Sequence, residues 1–177
     1  NSVVGMARDE VWFAQTVENY LQPLFSYIYR RSSGLDQALS SPDDILADTW
    51  AIAWQKREQA PENDELTSAW LYHIARHLLA NHIRRTQTLR KHTAALDPEL
   101  VSRLNVESML IADEELRRIF DLLTDGEKEV VALTLWEGLE PRQIAKVTSS
   151  TPNAVSLKLH KARKKISEFY EKEKHSS

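Results

Sequence analysis

The sequence predicts an all-α protein of two small helical domains joined by a linker, the C-terminal one carrying a helix-turn-helix. Three observations predict it. Glycine and proline are scarce, 4 and 6 in 177 residues, and β-branched alternating runs are few. Apolar residues instead recur at the helical period in several blocks. Between Thr86 and about Asn105 that period dissolves: Leu89, Leu96, Leu100 and Leu104 stand isolated among polar residues, with Pro98 inside. The domains are therefore residues 1–86 and 106–177, with 87–105 as a linker rather than core. A connection of that length is long for a compact protein and points to a functional or mobile segment.

The first helical region runs from about Asp9 to Arg31, with Val11, Trp12, Val17, Tyr20, Leu21, Leu24, Phe25 and Ile28 as its apolar stripe, and Pro23 is expected to divide or kink it. Ser32 to Ser40, containing Gly34, reads as a connection. Ser41-Pro42-Asp43-Asp44 is a helix start: a capping serine, proline in the first turn, and two acids at the positive end of the dipole. That helix extends to about Lys56, with Trp50 and Trp54 read as packing residues. After a polar loop, Thr67 or Ser68 caps a helix in which Trp70, Leu71, Ile74, Ala75, Leu78, Leu79 and Ile83 follow the 3.6-residue period, closing on Arg84-Arg85. Beyond the linker, helices are expected over 106–123 and 125–136, then a basic helix pair whose last member continues through Ile166, Phe169 and Tyr170.

Charge is unevenly distributed. The chain carries a formal net charge of −3, yet residues Arg142 to Lys165 hold seven Lys or Arg and no Asp or Glu. Such a stretch is reserved for an anion, whatever the total charge. Ile144, Ala145 and Val147 form one short apolar face, Thr148 to Thr151 a polar turn, and Thr151-Pro152 the cap and first position of a second helix. In that helix Val155, Leu159 and Ala162 fall on one side; Asn153, Ser156, Lys158, His160, Lys161, Arg163 and Lys164 point elsewhere. Two helices about a tight turn, the second apolar behind and basic in front, are what a helix-turn-helix DNA reader needs. The plainer reading is a solvated basic face; the coincidence of turn and missing acids favours DNA.

Other chemistries find little support. The absence of cysteine excludes a disulfide framework or thiolate metal site and fits a reducing interior. No apolar run approaches a bilayer-spanning length and no signal pattern opens the chain, so no membrane insertion and a cytoplasmic location are expected. Met6 is the first residue able to start translation, and residues 1–5 read as an addition ahead of it. His73 and His77 are spaced for zinc, but no Glu lies between them, and His82 falls around the helix from His73. Asp43, Asp44 and Asp48 are a carboxylate cluster, two of them explained as acids at a helix start. No catalytic triad, phosphate loop or paired catalytic carboxylates emerge, so no enzyme, cofactor or metal is expected.

Three segments in order resemble the bacterial RNA polymerase sigma factors of the sigma-70 family, within its two-domain extracytoplasmic-function group. Asp43-Asp44-Ile-Leu-Ala-Asp-Thr-Trp-Ala-Ile-Ala-Trp is similar to the first signature. Trp70-Leu-Tyr-His-Ile-Ala-Arg-His-Leu-Leu-Ala-Asn-His-Ile-Arg-Arg is similar to the second. The third is Leu135-Trp-Glu-Gly-Leu, then Ile144-Ala145, ending Leu159-His-Lys-Ala-Arg-Lys-Lys. Ala47 stands where the family usually has glutamine, Thr148, Ser149 and Ser150 where it commonly has leucine, glycine and valine, and Ser156 and Leu157 where it often has a basic residue and serine. These departures imply an altered promoter preference or a turn held differently.

The resemblance implies a transcription initiation factor that directs core polymerase to promoters. Residues 1–86 would be the region 2-like domain and 106–177 the region 4-like domain. The last helix would read the −35 element: Lys158, Lys161, Arg163, Lys164 and Lys165 to phosphates, Asn153, Ser156, Leu157 and His160 near base edges. The Trp70 helix would open and hold the −10 element, with Trp70 at the melting point, Arg76, Arg84 and Arg85 on phosphates, His73, His77 and Asn81 on displaced bases, and the loop 59–68 as a pocket for a flipped base. Asp44, Ala47, Asp48 and Ala51 would dock the β′ clamp of core RNA polymerase, with the β flap as its other contact and the linker threading toward the active-site cleft. An anti-sigma factor is implied as inhibitor. The rival reading is a dimeric helix-turn-helix repressor with an N-terminal ligand-binding or dimerisation domain.

Overall fold

Ser41 and Thr151, read as caps from the sequence, start helices in the computed structural model, whereas Thr67, expected as a cap, already has helical backbone angles; the structure describes residues 7–32, 41–87, 97–107 and 109–177, the side chains of 86 and 87 aside. Eight α-helices and no strand occur among the described residues. Residues 1–5, the connection 33–40 and residues 88–96 of the expected linker lie outside them.

Helix α1 spans Glu10–Ser32 and runs through Pro23 rather than dividing there. Pro23 and Asn19, whose carbonyl loses its partner, are both exposed, a place where the freed acceptor costs little. Helix α2, Pro42–Gln55, is capped by the Ser41 hydroxyl, which accepts from the Asp44 backbone N–H at 3.1 Å. A loop with two 3₁₀ turns, Arg57–Gln59 and Asp64–Leu66, leads into α3, Thr67–Gln87. Trp50 and Trp54 flank Phe13, their ring centroids 5.9 and 5.1 Å from it.

The stretch expected as linker contains a helix. Helix α4, Pro98–Glu107, buries Val101, Leu104, Asn105 and Val106. Val101 and Leu104 pack with Ala80 and Ile83 of α3. With only two leucines in range, its apolar face was too short to stand out from a polar background. The helix expected over 106–123 is accordingly two: Val106 lies in the last turn of α4, and Asp113 caps a separate α5, Glu114–Asp121, by accepting from Leu116 N–H at 2.8 Å.

Helix α6, Asp125–Leu135, opens on a reciprocal capping box between Thr124 and Glu127. Helix α7, Pro141–Thr148, and helix α8, Pro152–His175, form the basic pair. Two helical domains are thus present, α1–α3 and α5–α8, bridged by α4. They also touch. Helix α3 packs against α1, α2, α4 and α7, and α6 packs against α4 and α8. One apolar core therefore runs from Tyr27, Ile28, Ile45, Leu71 and Leu79 into Leu133, Ile144, Val147, Val155 and Leu159. The middle of α3 is buried on nearly every side, including Arg76.

Candidate nucleic-acid interface

The turn between α7 and α8 is held by hydroxyls where a glycine would need none. Ser149 sits in the left-handed region, φ 52° and ψ 42°. That conformation crowds the Cβ of any L-residue. Thr148 Oγ1 donates to the Ile144 carbonyl at 2.8 Å and lies 2.9 Å from Ser150 Oγ, while the Ser150 N–H returns to the Ala145 carbonyl at 3.0 Å. Thr151 then caps α8 by accepting from Ala154 N–H at 3.1 Å.

Val155, Leu159 and Ala162 are buried beneath α8. Asn153, Ser156, Leu157, His160, Lys161, Arg163 and Lys164 are exposed on its other sides, with Leu157 54% exposed despite being apolar. Two lysines behave differently. Lys158 is half-buried and leans over Gly126, where an added Cβ would lie 3.4 Å from its Nζ. Lys165 donates to Glu127 Oε1 at 2.5 Å, joining α8 to the capping box of α6. Burial raises the Glu127 carboxyl, but the hydrogen bonds from Lys165 and Thr124 outweigh it and leave its pKa lowered. The phosphate role expected of Lys165 is therefore taken in this structure by a carboxylate contact.

The face expected to hold the −10 strand is arranged against the C-terminal domain. Trp70 is 5% exposed and belongs to the shared core. Arg76 is buried and donates from Nε and Nη2 to the two Glu129 oxygens of α6 at 2.8 and 2.9 Å. Ser102 of α4 completes this cluster, accepting from Arg76 at 3.2 Å and donating to Glu129 at 2.9 Å. Burial pulls the Arg76 pKa down, and Glu129 more than offsets it, so the guanidinium is held charged. His73 Nδ1 is 3.0 Å from the Val147 carbonyl at the end of α7, and His77 lies edge-on to it, ring centroids 4.6 Å apart. Both imidazoles are half-buried and titrate below the ordinary value, chiefly through burial. Asn81 and Arg84 are half-buried and Arg85 is exposed. The expected flipped-base loop is touched as well: Gln143 of α7 donates to the Glu65 carbonyl at 2.9 Å. Trp70 and Arg76 are consequently not open to a nucleic acid in this arrangement, because Trp70 lies in the shared core and Arg76 is held by Glu129 of α6 and Ser102 of α4.

A second polar contact joins the domains at the far end of α1. Arg31, 1% exposed in its side chain, donates to both oxygens of Glu137 at 2.9 Å each and lies 3.8 Å from the Tyr27 ring centroid. Arg30 adds a 3.4 Å contact to Glu137 and lies 4.8 Å from the Trp136 ring. Burial pushes the Tyr27 phenol well above its ordinary pKa and the Tyr72 phenol up to about 12. The two carboxylates, Glu129 and Glu137, were missed from sequence as partners of these arginines. For Glu129 a signal existed, since it neighbours Val130 and precedes Leu133 by four on the inward side of α6, marking an acid that needs a buried partner.

On α2, Asp44, Ala47, Asp48 and Ala51 form one exposed stripe. His82 Nε2 lies 3.7 Å from Asp48 Oδ2. No group of three His, Asp or Glu able to hold a metal occurs among the described residues, nor does a helix long and apolar enough to cross a membrane. A cavity of about 450 Å³ lies where the domains meet, lined by Arg76, Ser102, Gly126, Glu129, Ser149 and Lys158.

Comparisons with known proteins follow the same division. Residues 16–88 match the model of Sigma-70 region 2, and residues 113–166 match that of Sigma-70, region 4. The chain is similar to the ECF RNA polymerase sigma factor BldN of Streptomyces coelicolor, 25% identical over 154 residues, covering 85% of this chain and 57% of that protein. It thus spans less than two thirds of that relative. Among solved structures, its fold resembles CnrH in complex with the cytosolic domain of CnrY, with a TM-score of 0.56, 24% identity, and coverage of 92% of this chain and 90% of that one. It also resembles the sigma factor RpoE in complex with the anti-sigma factor NepR from Bartonella quintana, at a TM-score of 0.56, 17% identity, and coverage of 90% and 96%. With regions 2 and 4 both matched, in order and over most of its length, the chain belongs to the sigma-70 family.

Proposed function

We propose that this protein is a transcription initiation factor of the extracytoplasmic-function type: a cytoplasmic, non-enzymatic subunit that binds core RNA polymerase and directs it to promoters. The observation that carries this reading is that regions 2 and 4 occur in order in one chain whose α8 exposes its basic face to solvent. Residues 1–86 would act as the region 2 domain, presenting Asp44, Ala47, Asp48 and Ala51 to the β′ clamp and the α3 face to the −10 element. Residues 106–177 would act as the region 4 domain, meeting the β flap and reading the −35 element through Asn153, Ser156, Leu157 and His160, with Lys158, Lys161, Arg163 and Lys164 on phosphates. The segment 87–105 joins them and carries most of α4. Because polymerase and both promoter elements are engaged together, affinity for promoter DNA would be weak alone and strong in the holoenzyme. An anti-sigma factor is the expected inhibitor; one structural neighbour, the sigma factor RpoE, is in complex with the anti-sigma factor NepR.

Purified protein mixed with core polymerase and a pool of genomic promoter fragments should yield discrete transcripts, and should co-purify with the polymerase. Polymerase-independent dimeric binding to a palindrome, with no transcripts, would instead establish the repressor reading.

A further inference from the structure

Of the seven cations between Arg142 and Lys165, those on α8 are matched to DNA or to Glu127, whereas Arg142 and Lys146, one turn apart on α7, have no task. Both are exposed, and among the described residues neither pairs with a carboxylate. Like charges at that spacing repel, so the pair costs its own helix stability unless an anion lies against it. They border a cleft of about 390 Å³ whose walls include Leu66, His73, Ser149 and Ser150. No Asp or Glu lines it among the described residues. Its size is at the small end of the range for metabolite sites.

Two groups on the walls are unspent. Thr148 Oγ1 gives its proton to the Ile144 carbonyl, so the Ser150 hydroxyl donates to Thr148, and Ser149 alone keeps a free O–H. Ser149 also holds its left-handed backbone with no side-chain hydrogen bond to offset the strain. His73 donates from Nδ1 to the Val147 carbonyl, which leaves Nε2 as its second nitrogen. The charges acting on that ring are all positive: Arg76 on its own helix, Lys146 on α7 and Lys56 at the end of α2, with the His77 ring edge-on beside it.

We propose that this cleft holds the phosphate end of a small phosphorylated metabolite, with Arg142 and Lys146 neutralising it and Ser149 Oγ donating to one of its oxygens. His73, protonated at Nε2, adds a third positive charge at the inner wall. An anion in the cleft favours the imidazolium, so binding takes up a proton and raises the pKa of the ring.

The test is calorimetric titration of the full chain with inorganic pyrophosphate and with adenosine diphosphate, in metal-free buffer. Arg142→Gln with Lys146→Gln, both at exposed positions, should weaken each probe by about tenfold or more. Ser149→Gly should weaken them as well while raising the melting temperature, a split that a purely structural serine would not give. The His73 ring, identified in NMR spectra by its loss in His73→Gln, should titrate at higher pH when pyrophosphate is bound. Relative to His73→Gln, which shares the probe's own titration, the unaltered chain should gain affinity as pH falls. Absence of binding by either probe, or binding undiminished in the Arg142→Gln, Lys146→Gln chain, overturns the proposal. So does a double variant that loses affinity only for duplex DNA, which would assign both cations to the DNA backbone.

Discussion

Arg31 and Glu137 meet across 106 residues of sequence in a bidentate pair, 2.9 Å on both arms, with side chains 1% and 3% exposed. Burying two charges costs desolvation, which only good geometry returns, so the loss of one partner is felt far more than the loss of both. Glu137→Leu should therefore destabilise the closed chain by about 3–5 kcal/mol, whereas Arg31→Met with Glu137→Leu should cost much less. Chemical denaturation of the two single variants and the double variant measures this. A double variant as weak as the sum of the singles would show that the pair is not coupled.

The left-handed Ser149 carries a steric cost that glycine would not. Ser149→Gly should stabilise the protein by about 1 kcal/mol, and Ser149→Val should destabilise it further because a β-branched side chain fits that region worst. Thermal unfolding of the two variants reads opposite signs if the turn is as described.

Lowering the pH should loosen the contact between α3 and α7. His73 faces the Val147 carbonyl, Arg76, Lys146 and Lys56; His77 faces His73, Arg76, Glu129 and Lys56. Burial favours the neutral rings, so the folded pKa values lie below the unfolded ones. Their contribution is intact above the ordinary histidine pKa and is lost as pH falls below it, because the unfolded or opened chain then binds more protons. Stability measured from neutral pH downward should decline, and His73→Gln with His77→Gln should flatten that slope.

Within α8 the cations should separate by role. Lys161→Ala and Arg163→Ala, both on exposed sides, should each weaken holoenzyme binding to −35 DNA and reduce its salt slope by about 1. Lys165→Met should leave that slope unchanged and lower the stability of the α6–α8 unit, since its amine is engaged by Glu127. Leu157→Ala should change base preference without changing the slope, an apolar side chain reading a thymine methyl rather than a phosphate.

On the α2 stripe, Asp44→Arg should abolish co-purification with core polymerase while lowering the melting temperature only slightly, because the side chain is exposed and only its favourable place at the helix start is lost. Retained binding would move the polymerase contact elsewhere.

The helices and their starts were legible because they depend on neighbours in sequence: Ser41, Thr124 and Thr151 each cap within three residues. The exposed side of α8 was legible for the same reason, since three buried positions at helical spacing fix where the rest must point. What did not show was anything set by distant partners. The apolar pattern of α3 identified Trp70 as inward or DNA-facing without deciding which, and nothing local revealed that Arg76 and Arg31 would find carboxylates 53 and 106 residues away. Helix α4 escaped because its burial depends on Ala80 and Ile83 being opposite it, not on its own composition. The left-handed turn was legible only as a departure, a serine where glycine is common.

The burial of α3 on nearly every side has a consequence for how much sequence variation this helix tolerates. A helix with one inward face can drift freely over the rest of its circumference. Here one side packs on α1 and α2, another on α4 and α7, and the charged positions between them are matched to named partners. Saturation mutagenesis of residues 69–83 should thus find a nearly unbroken block of intolerant positions, where an ordinary amphipathic helix would show an intolerant position only every third or fourth residue.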